Sequence, residues 1–208
     1  MICVPLGALF DDAIARLAAA GLDTAALAKA GRRLVVRAAD GTTFVTTRPT
    51  DVPIYVESGA ADLGIVGRDV LREQRPDVYE LLDLGFGSCR MVYATPSGHD
   101  PTPGALAHLG AVRVATKYPA VTRDHFAATG RAVEVVRVHG SVELAPLVGL
   151  ANGIVDLTAT GRTLRDNGLV EREEIFDSSA RLIANRVSHK LAAEPVDELV
   201  ARLEHAAQ

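Results

Sequence analysis

Asp62-Leu-Gly-Ile-Val-Gly-Arg-Asp-Val-Leu-Arg-Glu73 holds a short apolar run, residues 62–66, that passes through Gly67 into an amphipathic segment of helix length, 68–73. A run of that kind followed at once by a helix is a βα unit, and a series of such units builds a largely parallel sheet. The same order occurs upstream, with a run at 2–4 before a helix over 9–20. Two further runs, 34–37 and 43–47, precede a helix over 51–58. Asp40-Gly41 lies between those two runs and signals a hairpin, so the sheet is expected to be mixed.

A second series begins near Arg90. Strands are predicted over 91–94, 112–116, 133–138 and 154–158, and helices over 121–129, 142–151 and 163–167. Pro96-Ser-Gly98 and Pro101-Thr-Pro-Gly104 read as surface loop between the series. The tail, 194–206, is amphipathic and is expected to pack back on the first series. The fold class that follows is α/β in two lobes, one from 1–88 plus 178–208 and the other from 89–177.

With 208 residues, 48% of them hydrophobic, the chain has enough apolar material for a sizeable core. A net charge of −4 and the lack of low-complexity tracts argue against disorder and nucleic-acid binding, so an anionic ligand must meet local positive charge. No stretch approaches the roughly 20 apolar residues that span a bilayer, and the N-terminus has no signal-peptide pattern. A cytoplasmic location without membrane contact is expected. Cys3 and Cys89 belong to no zinc-binding pattern, and no metal site is predicted on the protein itself.

The chemistry concentrates in Ile154-Val-Asp-Leu-Thr-Ala-Thr-Gly-Arg-Thr-Leu164. A strand delivers Asp156, and the chain then turns through Thr158, Ala159, Thr160 and Gly161 into a helix start at Arg162-Thr163. Small residues let backbone N–H groups converge on an anion, and the hydroxyls add donors, which makes a phosphate cradle. An acid beside it suits the hydroxyls of a sugar phosphate. Taken alone, Thr-Gly-x-Thr equally well links a strand to a capped helix. Glu143 reads either as a site acid or as an acid in the first turn of a helix capped by Ser141. Asp69 reads either as a cap or as a ligand contact. Arg48 precedes a helix, and Arg90 and Lys117 each follow a strand, where α/β folds place ligands. Nothing near Cys89 in sequence suggests a His-activated thiol, and a strand-end histidine such as His139 is usually structural, so both are set aside.

Further stretches supply context: Arg48-Pro-Thr-Asp-Val-Pro-Ile-Tyr-Val-Glu57, Ala61-Asp-Leu-Gly-Ile-Val-Gly-Arg-Asp-Val-Leu71, Asp83-Leu-Gly-Phe-Gly-Ser-Cys-Arg90, Ala115-Thr-Lys-Tyr-Pro119, Gly140-Ser-Val-Glu-Leu-Ala-Pro146 and Ser179-Ala-Arg-Leu-Ile-Ala-Asn-Arg186. With the cradle, and over nearly the whole chain, these resemble the ATP phosphoribosyltransferase family. The resemblance implies a bilobal fold like the type II periplasmic binding proteins, with mostly parallel sheets and an interlobe cleft. It implies transfer of the phosphoribosyl group from phosphoribosyl diphosphate to N1 of ATP, the first step of histidine biosynthesis, with Mg2+ accompanying the diphosphate substrate. It also implies the short form, which lacks a C-terminal regulatory domain and works with a regulatory subunit resembling histidyl-tRNA synthetase, as a homodimer within a hetero-octamer.

On this resemblance Arg48 and Lys117 are assigned catalytic roles. Glu143, Asp156, Thr158, Ala159, Thr160, Gly161, Arg162, Thr163, Asp69 and Arg90 are assigned to substrate binding. One departure stands out: Leu6 and Ala8 occupy the first loop, where the family often has basic side chains. A two-lobed fold by itself also fits a small-molecule binding module.

Overall fold

The computed structural model describes residues 1–98 and 111–206, so Pro101-Thr-Pro-Gly104 lies outside the described residues. In chain order the strands are β1 Ile2–Pro5, β2 Val35–Arg37, β3 Thr43–Thr47, β4 Leu63–Gly67, β5 Tyr79–Asp83, β6 Cys89–Pro96, β7 Val112–Thr116, β8 Val133–Arg137, β9 Gly153–Thr158, β10 Leu169–Ser178 and β11 Ala180–Ala184. The helices are α1 Phe10–Ala19, α2 Ala25–Ala28, α3 Val52–Glu57, α4 Arg68–Gln74, α5 Pro119–Ala128, α6 Leu144–Leu147, α7 Arg162–Asp166, α8 Arg186–Leu191 and α9 Ala193–His205. They divide into two units, Met1–Ser88 with Ser179–Gln208, and Cys89–Ser178.

The first unit is a six-stranded mixed sheet in the order β2-β3-β1-β4-β11-β5. β1 runs parallel to β3 and β4, as βα units require. β2 turns back antiparallel to β3, and the hairpin at Asp40-Gly41 forms with Gly41 at φ +87°, a conformation glycine adopts without strain. Every residue of β4 is buried, because apolar side chains cover both faces of the sheet. Leu17, Phe44 and Ile65 share one cluster with Val196, Leu199 and Leu203 of α9, whereas Val52, Val56 and Val66 pack in another. α3 lies so close to β4 that a Cβ on Gly64 would stand 2.7 Å from Val56 Cγ2 and 2.8 Å from Val52 Cγ1. Valine is stiff at χ1, so neither neighbour yields easily. Gly64→Ala is expected to cost about 1–3 kcal/mol, lowering the melting temperature by roughly 2–4 °C per kcal/mol; an unchanged melting curve would contradict this packing.

The second unit is a five-stranded sheet in the order β10-β6-β9-β7-β8. β7 is parallel to β8 and β9, while β6 runs antiparallel to β9 and β10. One face packs on α5, where Tyr93 and Phe126 meet edge-on at 5.1 Å. The other face carries Val92, Ala94, Ile154, Leu164 and Leu169, and it is this face that bears the site.

Two register irregularities shape β10. Glu171 lies opposite Ala94, Glu173 opposite Tyr93 and Glu174 opposite Val92, with shifts between Glu171 and Glu173 and between Glu174 and Phe176. Extra residues of this kind break the two-residue alternation. Glu171 and Glu174 consequently share the face of Val92 and Ala94 and both reach Arg90, whereas Glu173 turns to the opposite face and bonds Arg131 and His125.

Several sequence expectations are corrected. β5, β10 and β11 are strands that the apolar runs do not announce, and β11 joins β4 and β5 as an antiparallel strand. The helix expected over 142–151 is the single turn α6, because Pro146 has no N–H to donate and Gly149 turns the chain at φ +75°. The helix expected over 121–129 starts earlier, with Pro119 in its first turn, a position that proline favours.

Candidate active site

β9 is buried along most of its length and ends at Thr158, from which the chain turns through Ala159 and Thr160 to Gly161 and α7. The Gly161 N–H donates to Thr158 Oγ1 at 2.8 Å, and the Arg162 N–H donates to Thr160 Oγ1 at 3.4 Å. Each hydroxyl that accepts from the backbone keeps its own proton to donate. Gly161 holds φ +69° at the entry to α7. Ala159, Thr160, Arg162 and Thr163 are exposed, while Thr158 and Gly161 are buried beneath them.

Asp156 sits one alternation before Thr158, on the same face of β9, and is only 9% exposed. Its Oδ1 accepts from the Leu157 N–H at 2.9 Å, and its Oδ2 lies 3.5 Å from Lys117 Nζ. Burial pushes its carboxyl above the usual aspartate range; Lys117 and the Leu157 N–H oppose that rise, and the nearby negative charge of Glu143 adds to it. Burial makes this acid costly to ionise, and its Oδ2 has a long contact with Lys117. Hydroxyl donors or a cation would relieve that cost.

Lys117 reaches Asp156 because Thr116 is tied down. The parallel register places Thr116 beside Val155. The Thr116 hydroxyl donates to the Val155 carbonyl at 2.7 Å and accepts from the Tyr118 N–H at 2.8 Å. That turn throws the lysine over the neighbouring strand's next residue. Glu143 stands at the start of α6 in the cap position, and Ser141 does not cap that helix through its side chain: the Leu144 N–H bonds the Ser141 carbonyl instead. Glu143 thus sits before the first turn, where its charge is felt by Asp156.

Arg90 faces Thr158 across the β6–β9 ladder. Its guanidinium is engaged by Glu174 at 3.1 Å and Glu171 at 3.0 Å, and these two carboxylates hold it above the usual arginine range. The structure therefore brings together Lys117, Glu143, Asp156, Arg90 and residues 158–163 in the second unit. Arg48 and Asp69 belong to the first unit. Arg48 is exposed just before the turn Pro49–Asp51. Asp69 is 8% exposed in the first turn of α4, folded over Gly67 so closely that a Cβ there would collide with its Oδ1. In the first loop Leu6 is 38% exposed, with its N–H bonded to the Thr47 carbonyl.

Three residues around the site escape the sequence reading. Thr116 is within reach of it, since a threonine at the end of a strand, followed by Lys-Tyr-Pro, is a recognisable turn former. Glu171 and Arg165, which flank Gly161, depend on the unforeseen strand β10 and on the pitch of a short helix.

The two α/β units have the architecture of periplasmic binding proteins. The periplasmic aliphatic sulphonate binding protein SsuA from Escherichia coli shares that fold, with a TM-score of 0.58 at 10% identity over 99% of this chain and 71% of its own. The family model for HisG, ATP phosphoribosyltransferase, matches residues 48–205, and the chain belongs to this family. The ATP phosphoribosyltransferase of Rubrobacter xylanophilus is 56% identical over 201 residues, 96% of this chain and 93% of that protein. The ATP phosphoribosyl transferase (HisG:HisZ) complex from Thermotoga maritima contains a chain with a TM-score of 0.84 at 31% identity, matched over 99% of this chain and 97% of its own.

Proposed function

We propose that the chain transfers the 5-phosphoribosyl group from phosphoribosyl diphosphate to N1 of ATP, releasing diphosphate and opening histidine biosynthesis. The observation that carries the reading is Asp156, a buried acid beside Lys117, one alternation before a loop whose threonine hydroxyls accept from the backbone and keep their protons to donate. The loop 158–163 takes the 5′-phosphate, and Asp156 accepts from the ribose hydroxyls, with Glu143 beside it.

As the bond from C1 to diphosphate breaks, positive charge grows on the ribose and negative charge on the departing group. Stabilising both ends by fixed charges is the dominant catalytic device available here, since no protein nucleophile is needed. Ionised Asp156 favours the ribose charge. Lys117, 40% exposed at its side chain, is free to move from Asp156 towards the leaving diphosphate, and Arg48 is assigned a polyphosphate-binding role in the first unit. Asp69 is assigned to ATP.

Among the described residues no group of three or more His, Cys, Asp or Glu side chains could hold a metal ion. Mg2+ is a hard cation that binds mainly to substrate phosphates and takes one or two carboxylates from the protein. Asp156 and Glu143 fit that limited part, and Mg2+ bound with the diphosphate would offset the charge that builds on it. Turnover is expected to vanish on chelation and to return when Mg2+ is restored, measured by diphosphate release; activity persisting in chelator would remove the metal from the scheme.

The Thermotoga maritima relative is a HisG:HisZ complex, and a HisZ-type regulatory subunit resembling histidyl-tRNA synthetase is proposed for this chain too, around a homodimer within a hetero-octamer. No described helix is long and apolar enough to cross a membrane, and a cytoplasmic site of action is proposed. The test is the appearance of phosphoribosyl-ATP from ATP, phosphoribosyl diphosphate and Mg2+, with and without the regulatory subunit. Product in either assembly supports the reading, and none in both defeats it.

A further inference from the structure

The loop at the end of β9 is held from outside its own turn. The peptide between Thr160 and Gly161 is gripped at both ends: its N–H donates to Thr158 Oγ1 at 2.8 Å, and its carbonyl accepts from Arg165 Nη1 at 3.0 Å. A Cβ on Gly161 would stand 2.9 Å from Arg165 Nη1 and 2.9 Å from Glu171 Oε1. Both charged groups therefore lie directly against the glycine. Glu171 is itself anchored, because Arg90 reaches its two oxygens through Nη1 at 3.0 Å and Nη2 at 3.1 Å. A two-pronged contact of this kind fixes direction as well as distance.

The orientation of that one peptide matters to an anion. The Gly161 N–H is engaged by Thr158 Oγ1, so a flipped peptide would turn the Thr160 carbonyl onto that hydroxyl and draw its proton away from an anion. Glycine with φ positive has little resistance of its own to such a flip. Arg165 supplies the resistance by holding the Thr160 carbonyl, and Glu171 with Arg90 behind it closes the space on the other side.

We propose that Arg165, backed by the Glu171–Arg90 pair, is a positioning residue that locks the 160–161 peptide in the orientation needed to bind the 5′-phosphate of the ribose. The inference rests on the reading of the loop as the 5′-phosphate site. It gives Arg90 a supporting role through Glu171 in place of direct contact with substrate. Arg165 is exposed on α7, so its truncation leaves the core of the unit untouched.

Ribose 5-phosphate is the probe, because it engages the loop without diphosphate or ATP. By calorimetry, Arg165→Ala is expected to weaken ribose 5-phosphate binding about tenfold, the scale of one hydrogen bond from a charged donor. In the enzyme assembled with its regulatory subunit, KM for phosphoribosyl diphosphate should rise by about the same factor while KM for ATP and kcat stay close to wild type, the pattern of lost ground-state binding. Arg165→Lys, which can still reach the carbonyl, should recover much of the loss. The deficit should persist at about 0.5 M salt, where a distant charge is screened but a direct contact is not. Equal binding by wild type and Arg165→Ala overturns the proposal, as does a deficit that salt erases or one shared by ATP. Wild-type protein that turns over its substrates while failing to bind ribose 5-phosphate overturns the brace and leaves the activity standing; absence of both binding and turnover overturns the reading on which it rests.

Discussion

Asp156→Asn is expected to lower turnover by two to three orders of magnitude and, at the same time, to raise the melting temperature of the free protein. The loss follows from removing a fixed charge at the centre where charge develops, an effect of about that size in other enzymes. The gain follows from the burial that pushes this carboxyl up. A carboxyl whose value is raised in the folded state holds its proton longer folded than unfolded. Stability therefore falls as pH rises from the ordinary aspartate range through the raised folded value, and stays lower above it. Asparagine keeps the shape and carries no charge, so the variant escapes that loss, and a gain of about 1 kcal/mol corresponds to roughly 2–4 °C at this size. Thermal melts of both proteins from about pH 4 to about pH 8, a span that brackets the aspartate range and neutrality, should show the gap widening towards neutrality. A variant that loses activity and stability together would mean that Asp156 is a structural anchor held by Lys117.

The second large effect is expected at Gly161. Alanine there meets Arg165 and Glu171 at 2.9 Å and must also accept φ +69°. The left-handed conformation costs about 1–2 kcal/mol for a residue with a Cβ, and crowding adds about 1 kcal/mol or more. A total of about 3 kcal/mol amounts to about a hundredfold. The loop escapes by moving, so the cost should appear as a loss of affinity for phosphoribosyl diphosphate of that order, with ATP binding largely kept. Steady-state kinetics with each substrate varied in turn separates the two, and parallel losses for both substrates would contradict a role confined to the ribose-phosphate loop.

Both predictions concern residues that are legible in the sequence alone, and the reason lies in local chemistry. Asp156, Thr158 and Gly161 lie within a few residues of one another, at the point where an apolar strand gives way to small polar residues. The parallel strands β1, β3, β4, β7, β8 and β9 are legible because their apolar runs are short and bounded by turn residues or a charged helix. What escapes is what depends on distant pairing. β10 reads Leu-Val-Glu-Arg-Glu-Glu-Ile-Phe-Asp-Ser, with alternation broken by two irregularities, and only its ladder with β6 makes it a strand. β5 and β11 are rich in leucine, alanine and charged residues that suit a helix as well as a strand. The helix over 142–151 fails for a local reason that is in view, Pro146.

Charge at the site is legible only in part. Lys117 is found by its place after a strand, yet its contact with Asp156 is set by the Thr116 hydroxyl and the parallel register of β7 and β9. Arg90 reads in the sequence as a cation available to substrate, because its partners are 81 and 84 residues away. Arg48 and Asp69 keep the roles proposed for them as tests of the first unit: Arg48→Ala should weaken polyphosphate binding with little effect on the melting temperature, since the residue is exposed.

The turn from β9 into α7, with Asp156 behind it, is proposed to hold the ribose phosphate. Titration of isotopically labelled protein with ribose 5-phosphate, followed through the backbone amide resonances, tests it most directly. Saturable shifts are expected at Thr158, Ala159, Thr160, Gly161, Arg162 and Thr163, with a smaller response at Leu157, whose N–H is bonded to Asp156. Shifts centred elsewhere, with these amides unmoved at saturation, would contradict it.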